Sequence, residues 1–121
     1  ESLEIAKSVN IPKTKIVLDP AIGFFRKKGM GAFFTKINSD WVKRDLLILK
    51  NLKSIKMNKP ILVSVSNKSF IRKILKKQHL SDLLAGTLVT EAVSILNGAD
   101  IIRTHNVGKT KEVITITQKL S

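Results

Sequence analysis

The sequence contains no cysteine among its 121 residues and only two histidines. The first absence excludes disulfide scaffolds, Cys-ligated zinc and Cys nucleophiles, and it permits a reducing, intracellular compartment. Two histidines do not by themselves make a zinc site. No apolar run approaches the roughly 20 residues of a membrane span, and residues 1–8 are too acidic and polar for a secretory signal. We therefore expect a soluble, cytoplasmic protein with no membrane partner.

Acidic residues are also scarce: 9 Asp and Glu face 22 Lys and Arg, which gives a formal charge of +13 and a pI near 10.3. Such an excess fits a nucleic-acid binder, because a basic face releases counterions from phosphates. The lysines are instead spread along the chain, and the few aromatic residues do not interleave with them as a stacking platform requires. We therefore favour a solvated basic surface over a nucleic-acid interface, and we keep open a basic pocket for a small phosphate or diphosphate.

The composition is that of a folded domain, with 43% hydrophobic and 26% charged residues. The sequence has no initial Met and opens within a helix-like pattern around Ile5. We expect residues 1–121 to be one domain's worth of chain taken from a longer protein.

Three short apolar runs predict buried parallel strands at residues 16–18, 61–66 and 101–102. Helical patterns lie around them, over residues 1–9, 41–55, 83–96 and 109–120. This order predicts a parallel α/β fold with right-handed crossovers. The strand ends at Asp19, Ser66 and Arg103 are 47 and 37 residues apart, a spacing that suits βα units of a barrel with insertions. About three units are present, too few to close one.

Residues 23–39 show no clear periodicity and carry four of the five phenylalanines. Loops of this length are commonly functional, although Phe33 and Phe34 could simply anchor the loop to the body. We leave both interpretations open. No glycine-rich phosphate-binding motif follows any strand, so a dinucleotide-binding or P-loop fold is not supported.

Polar side chains follow all three predicted strands, where a parallel barrel binds its substrates. Asp19 ends the first, residues 66–69 (SNKS) follow the second, and residues 103–106 (RTHN) follow the third. A turn, a helix cap and a solvated loop would explain each group taken singly. Together they offer a carboxylate for the N–H donors of an amidine-like heterocycle and cationic donors for a phosphate. No nucleophile with an adjacent base is apparent along the chain, so covalent acyl chemistry is weakly supported.

These residues resemble the carboxyl-terminal half of the dihydropteroate synthase family. The resemblance rests on residues 16–24 (IVLDPAIGF), 60–71 (PILVSVSNKSFI) and 98–107 (GADIIRTHNV), with 84–88 (LAGTL) between the last two blocks, and it covers nearly the whole chain. It implies the C-terminal portion of a (β/α)8 TIM barrel and a pterin-binding domain. The family condenses 6-hydroxymethyl-7,8-dihydropterin diphosphate with p-aminobenzoate and releases pyrophosphate, a transferase reaction of folate biosynthesis. Mg²⁺ assists, with ligands expected mainly outside this chain, and the resemblance also implies a homodimer.

The resemblance assigns roles to individual side chains at the strand ends. By it, Asp19 holds the pterin ring, and Lys68 contacts both the pterin and the aminobenzoate. Ser69 receives the aminobenzoate carboxylate at a helix start, and Phe24 packs beside the aminobenzoate ring. Arg103 and His105 grip the diphosphate. The implied substrate-binding set is Asp19, Gly23, Phe24, Lys68, Ser69, Arg103 and His105, of which Lys68, Arg103 and His105 are the implied catalytic residues. Groups that hold pyrophosphate more strongly as it leaves lower the barrier.

The chain departs from the family pattern at several of these positions. Phe25 and Arg26 stand where the family usually has Gly and Lys, Asn67 where it has Arg, and Asn106 where it has Asp. The loss of charge at Asn67 leaves open a modified-folate relative that uses another arylamine. A pterin-binding methyltransferase domain, a non-catalytic relative and an anion-binding or nucleic-acid-binding module also stay open. We also predict that the 121-residue chain alone is inactive and self-associates through open sheet edges.

Overall fold

The computed structural model describes residues 1–28, 32 and 34–121. In chain order its elements are α1 (Ser2–Ser8), β1 (Phe25–Arg26), β2 (Thr35–Lys36), α2 (Trp41–Lys50), α3 (Leu52–Ile55), β3 (Leu62–Val63), α4 (Ser69–Leu75), α5 (Leu84–Leu96), β4 (Ile101–Ile102) and α6 (Val107–Leu120). Turns of 3₁₀ helix occupy Lys13–Lys15 and Leu80–Leu83. The predicted helices near residues 1–9, 83–96 and 109–120 are confirmed as α1, α5 and α6.

The three predicted strands lie side by side and run parallel. Leu18 forms a parallel bridge with Ile61, and β3 pairs with β4 in the register Leu62 to Ile101. The strand predicted over residues 16–18 is reduced to that bridge, held by the Leu18 N–H to the Pro60 carbonyl (2.9 Å) and the Leu62 N–H to the Leu18 carbonyl (2.8 Å). Within the described residues this segment pairs on one side only, so few ladder bonds hold it extended.

The prediction of an irregular segment over residues 23–39 is wrong at two places. β1 and β2 form a small parallel pair, with Phe25 opposite Thr35. Phe34 is half-buried and its ring centre lies 4.8 Å from Cζ of Arg26, as an anchoring function predicts. The same prediction for Phe33 lies outside the described residues.

The single helix predicted over residues 41–55 is divided at Asn51. Its side-chain Nδ2 donates to the Leu47 carbonyl (2.8 Å), and its backbone leaves the helical region (φ −120°). An Asn side chain that bonds to nearby backbone groups competes with the helix, which explains the break between α2 and α3.

The core lies between the sheet and the helices that cover it. Ile61, Val63 and Val65 of the central strand segment belong to one buried cluster with Leu49 of α2, Leu52 of α3, and Phe70 and Ile71 of α4. A Cβ placed on Gly86 of α5 would lie 2.6 Å from Ile71 Cγ2, so glycine allows α4 and α5 to approach closely.

No single helix in the described part of the chain is long and apolar enough to cross a membrane. The pair formed by Ser69–Leu75 and Leu80–Leu96 meets that length and composition test only across a bend of 85°.

Candidate functional site

The polar groups predicted at the strand ends share one edge of the sheet. Asp19 follows the bridge at Leu18, Lys68 lies on the turn after β3, and Arg103 follows β4 and bonds through its N–H to the Val63 carbonyl (2.9 Å). Because these strand segments are parallel and adjacent, their carboxyl ends open on the same side.

Lys68 lies at the centre of this edge. Its half-buried side chain passes over Gly23 so closely that a Cβ on Gly23 would lie 2.9 Å from Lys68 Cδ. The Lys68 Nζ lies 4.4 Å from the ring centre of Phe24, a cation–π distance. The backbone of Gly23 has φ +85°, a left-handed conformation that favours glycine. Glycine is therefore favoured here for two reasons: the backbone conformation and the space that Lys68 occupies.

The electrostatics of Lys68 reveal which charges surround it. Burial lowers the pKa of the Lys68 ammonium, and the positive charges of Arg103 and Arg26 add to that effect. The carboxylates of Asp19 and Asp45 oppose it and raise the pKa. The structure therefore brings Asp19, Lys68 and Arg103, residues from three different strand ends, within electrostatic reach of one another.

Asp19 is exposed at the edge of this group. One of its carboxylate oxygens accepts the Ala21 N–H (2.8 Å) and so fixes the turn that leads to Gly23. The turn interpretation and the ligand interpretation of Asp19 are thus compatible, because a carboxylate has further acceptor positions.

Asp45 is a buried carboxylate of the site that the sequence analysis missed. It lies on α2, is 0% exposed, accepts the Gly23 N–H (3.0 Å) and pairs with Arg44 (2.8 Å). Burial raises its pKa, and the hydrogen bonds and charges of Arg44, Gly23 and Arg26 oppose that rise. The sequence did carry a signal that Asp45 is buried, because residue 45 lies on the same helix face as the apolar Val42 and Leu49.

Arg26 and Ser69 form a second cluster beside Lys68. The Arg26 Nη2 donates to the Ser69 Oγ (2.5 Å), and its guanidinium lies over Phe34 and Trp41, 4.8 and 4.1 Å from the ring centres. Burial lowers the pKa of Arg26, while Asp45 raises it. Ser69 is the first residue of α4, as predicted. The sequence did not reveal that its hydroxyl accepts a hydrogen bond from the Arg26 guanidinium.

His105 contacts Ser66, a pairing that is invisible along the chain. The Ser66 Oγ accepts the His105 backbone N–H (3.2 Å) and lies 3.0 Å from the ring Nδ1. No His lies close to Ser66 in the sequence, but the fold brings His105 into contact with it. Ser66 is 2% exposed, so its hydroxyl orients His105 and is not accessible as a nucleophile.

The described residues do not fit a metal centre. Across residues 1–28, 32 and 34–121, no group of three or more His, Cys, Asp or Glu side chains comes together in a way that could hold an ion. The chemistry of this edge is therefore that of a cationic and carboxylate-bearing binding surface.

Comparison with known proteins identifies the class. The sequence profile of the family described as "Pterin binding enzyme" matches residues 1–105. The chain belongs to this family.

Individual relatives agree with this assignment. The chain is 34% identical over 109 residues to the type-1 dihydropteroate synthase of Escherichia coli, covering 88% of this chain and 34% of that protein. It is 29% identical over 119 residues to the dihydropteroate synthase of Synechocystis, covering 98% and 36%. The chain therefore spans about a third of the length of these curated relatives.

Solved structures confirm the fold. The dihydropteroate synthase of Clostridium difficile, determined in the presence of pteroic acid, superposes with a TM-score of 0.79 at 32% identity, over 98% of this chain and 40% of that one. The dihydropteroate synthase of Yersinia pestis gives a TM-score of 0.80 at 23% identity, over 98% and 50%. The predicted fold class, about three parallel βα units of a TIM barrel, is confirmed.

Proposed function

We propose that this chain supplies the carboxyl-terminal, pterin-binding part of a dihydropteroate synthase, spanning residues 1–121. The observation that carries the proposal is the position of Lys68 between Asp19, Phe24 and Arg103 at one edge of a parallel sheet. The homologous synthases and the relatives solved with pteroic acid support it.

The pterin would bind at the end formed by Asp19, Gly23 and Lys68. A pterin carries an amidine-like edge with N–H donors, and a carboxylate accepts two such hydrogen bonds in a fork. Gly23 has no side chain where Lys68 passes over it, so it makes room for Lys68 at this edge, and Phe24 is 44% exposed, so its ring is available to the aminobenzoate ring.

The diphosphate would bind between Lys68, Arg103 and His105. Arg103 lowers the pKa of Lys68, which means that the two cations repel each other in the free protein. An anion between them removes that repulsion, and it gains charge-assisted hydrogen bonds. Ser66, which contacts Nδ1 of His105, leaves Nε2 as the ring nitrogen that faces a ligand.

The arylamine would bind beside Lys68, with its carboxylate at Ser69. The Arg26 guanidinium that donates to the Ser69 Oγ places a positive charge at this position. That charge favours an acceptor with an anionic group, and p-aminobenzoate is the arylamine we propose.

The reaction follows from these positions. The amine nitrogen forms a bond to the exocyclic methylene carbon of the pterin, the carbon–oxygen bond to the diphosphate breaks, and the amine loses a proton as pyrophosphate leaves. Positive charge spreads into the pterin as the bond weakens. Asp19 then stabilises the pterin, while Lys68, Arg103 and His105 stabilise the growing negative charge of the leaving group.

Magnesium enters the proposal only as a companion of the diphosphate, with ligands outside this chain, and no step depends on it here. The homodimer and the cytoplasmic location are likewise part of the proposal and rest on the resemblance to the synthase family.

Asp19→Asn tests the proposal in the full-length protein. We expect the affinity for 6-hydroxymethylpterin to fall roughly ten- to hundredfold, since a hydrogen bond to a charged group is worth about 1.5–3 kcal/mol. Pyrophosphate affinity should change little. Isothermal titration with each ligand measures both constants, and Asp82→Asn, an exposed Asp of the segment Leu80–Leu83, is the charge-matched control.

The same titrations separate a synthase from other classes of protein. A synthase binds both ligands, a methyltransferase-type domain binds the pterin alone, and a general anion binder holds pyrophosphate without the pterin. Unchanged pterin affinity in Asp19→Asn would reject the assignment of Asp19.

A further inference from the structure

The face of α5 that points into the protein is unusually polar. Thr87, Glu91 and Ser94 are each 0% exposed, and their spacing of four and three residues places them on one side of the helix. A helix face packed against a sheet is normally apolar, and a buried carboxylate is costly to desolvate. These side chains therefore need an explanation other than core packing.

Two of the three form hydrogen bonds outside their own helix. The Thr87 Oγ1 accepts the N–H of Asn67, the neighbour of Lys68 (3.2 Å). The Glu91 Oε2 accepts the hydroxyl of Thr110 on α6 (2.8 Å). Ser94 differs, because its hydroxyl bonds to the Thr90 carbonyl of its own helix (2.6 Å).

The contact of Glu91 continues into the loop that carries Arg103 and His105. The Thr110 Oγ1 lies 3.0 Å from the Thr104 Oγ1, and the Thr104 Oγ1 accepts the N–H of Asn106 (3.1 Å). Thr104 stands between Arg103 and His105 in the sequence. A connected chain of hydrogen bonds thus runs from the middle of α5 through the Thr104 side chain to the backbone N–H of Asn106, the residue after His105.

Glu91 is not the side chain that stability alone would select. Its second oxygen, Oε1, is buried and has no hydrogen-bond partner among residues 1–28, 32 and 34–121. A buried acceptor without a partner destabilises the fold, and an apolar side chain of similar volume would avoid that cost. A residue that costs stability at a fixed place is commonly retained for function.

We propose that Glu91 is a positioning residue that holds the loop bearing Arg103 and His105 in place through Thr110 and Thr104. The proposal rests on the proposed function in taking that loop as the diphosphate-binding element. Glu91 itself does not touch the substrate.

The test compares three variants of the full-length protein. Glu91→Leu removes the acceptor, and Glu91→Gln keeps an oxygen that accepts from Thr110. Ser94→Ala removes an equally buried hydroxyl of the same helix face, which donates to the Thr90 carbonyl of its own helix. Amide hydrogen exchange at Asn106 reports the loop directly, and titration with pyrophosphate reports its function. The thermal midpoint of each variant reports folding.

We expect Glu91→Leu to increase the exchange rate of the Asn106 amide and the dissociation constant of pyrophosphate by about tenfold each, without a lower thermal midpoint. Glu91→Gln should restore both values to within about twofold, and Ser94→Ala should leave both unchanged. Should Glu91→Leu fail to fold, Thr110→Val interrupts the same chain of hydrogen bonds and is expected to give the same pattern.

The outcomes distinguish the two proposals. If the wild-type protein binds pyrophosphate and Glu91→Leu alters neither quantity, the positioning function is overturned. It is also overturned if only the exchange rate changes while pyrophosphate binds as before. If the wild-type protein does not bind pyrophosphate, the proposed function fails, and the exchange rates alone decide whether Glu91 holds the loop.

Discussion

Burial shifts the pKa values of single residues in the site. It lowers the pKa of Lys68, which lies near two carboxylates and two guanidinium groups, and it raises the pKa of Asp45, which accepts hydrogen bonds from Arg44 and from the Gly23 N–H. Each such group links the stability of the fold to the charge balance of the site.

Asp45 gives a prediction for the pH dependence of stability. Its folded-state pKa is raised, so between the unfolded value of about 3.9 and the folded value the folded protein binds more protons. The free energy of unfolding therefore falls as the pH rises through that window, by ~1.4 kcal/mol for each pKa unit. Asp45→Asn removes this loss while its amide oxygen still accepts the Gly23 N–H.

Urea denaturation of both proteins at about pH 3 and about pH 7 measures the effect, since the lower value lies below the window. We expect the stability of Asp45→Asn relative to wild type to increase between the lower and the higher pH. A difference that stays constant, or that changes in the opposite direction, would show that burial does not dominate the titration of Asp45.

Among the elements, α5 combines two functions on two sides. Gly86 lets it approach α4, and its polar stripe contacts the loop after β3 and Thr110 of α6. The sequence pattern predicted a helix over residues 83–96, but it did not predict which of the buried residues of this helix bond to the site.

Gly86→Ala tests the close approach of α4 and α5. The added Cβ would lie 2.6 Å from Ile71 Cγ2 and 2.9 Å from Leu75 Cδ1. Ile71 is β-branched, so its side chain has little freedom to move away. We expect a loss of about 1–3 kcal/mol in the free energy of unfolding, measured by urea denaturation.

Gly108→Ala is the matched control on α6, because a Cβ there meets nothing within 4 Å. It should stabilise the protein by roughly 0.5–1 kcal/mol through helix propensity. Equal effects at the two glycines would contradict the packing explanation for Gly86.

At the scale of the whole molecule, about three βα units leave apolar strand residues near the surface. Val17 is 48% exposed and Ile101 is 40% exposed, although both belong to the parallel sheet region. Across the described residues, the neighbouring strand segments end at Leu18 on one side and at β4 on the other. Open edges of this kind favour association with other chains.

We therefore predict that the 121-residue chain by itself self-associates. Sedimentation velocity should show species larger than the monomer, and a dye that binds exposed apolar surface should fluoresce in its presence. A single monomeric boundary without dye binding would contradict the prediction.

The sequence by itself determined the class of fold, because apolar periodicity and β-branched runs depend on local spacing. It also determined which strand ends carry polar groups, from Asp19 to Arg103, and the three ordered blocks that resemble a known family. Expectations of this kind need no knowledge of long-range contacts.

Only the tertiary structure decided which side chains meet. Asp45 bonds to Gly23 across 22 residues of chain, and His105 contacts Ser66 across 39 residues. Glu91 connects to Thr104 in two steps, from Glu91 to Thr110 across 19 residues and from Thr110 to Thr104 across 6 residues. Burial likewise set the directions of the pKa shifts of Lys68 and Asp45. These features depend on packing between distant segments, and a linear pattern of residue types carries no record of the distances that packing creates.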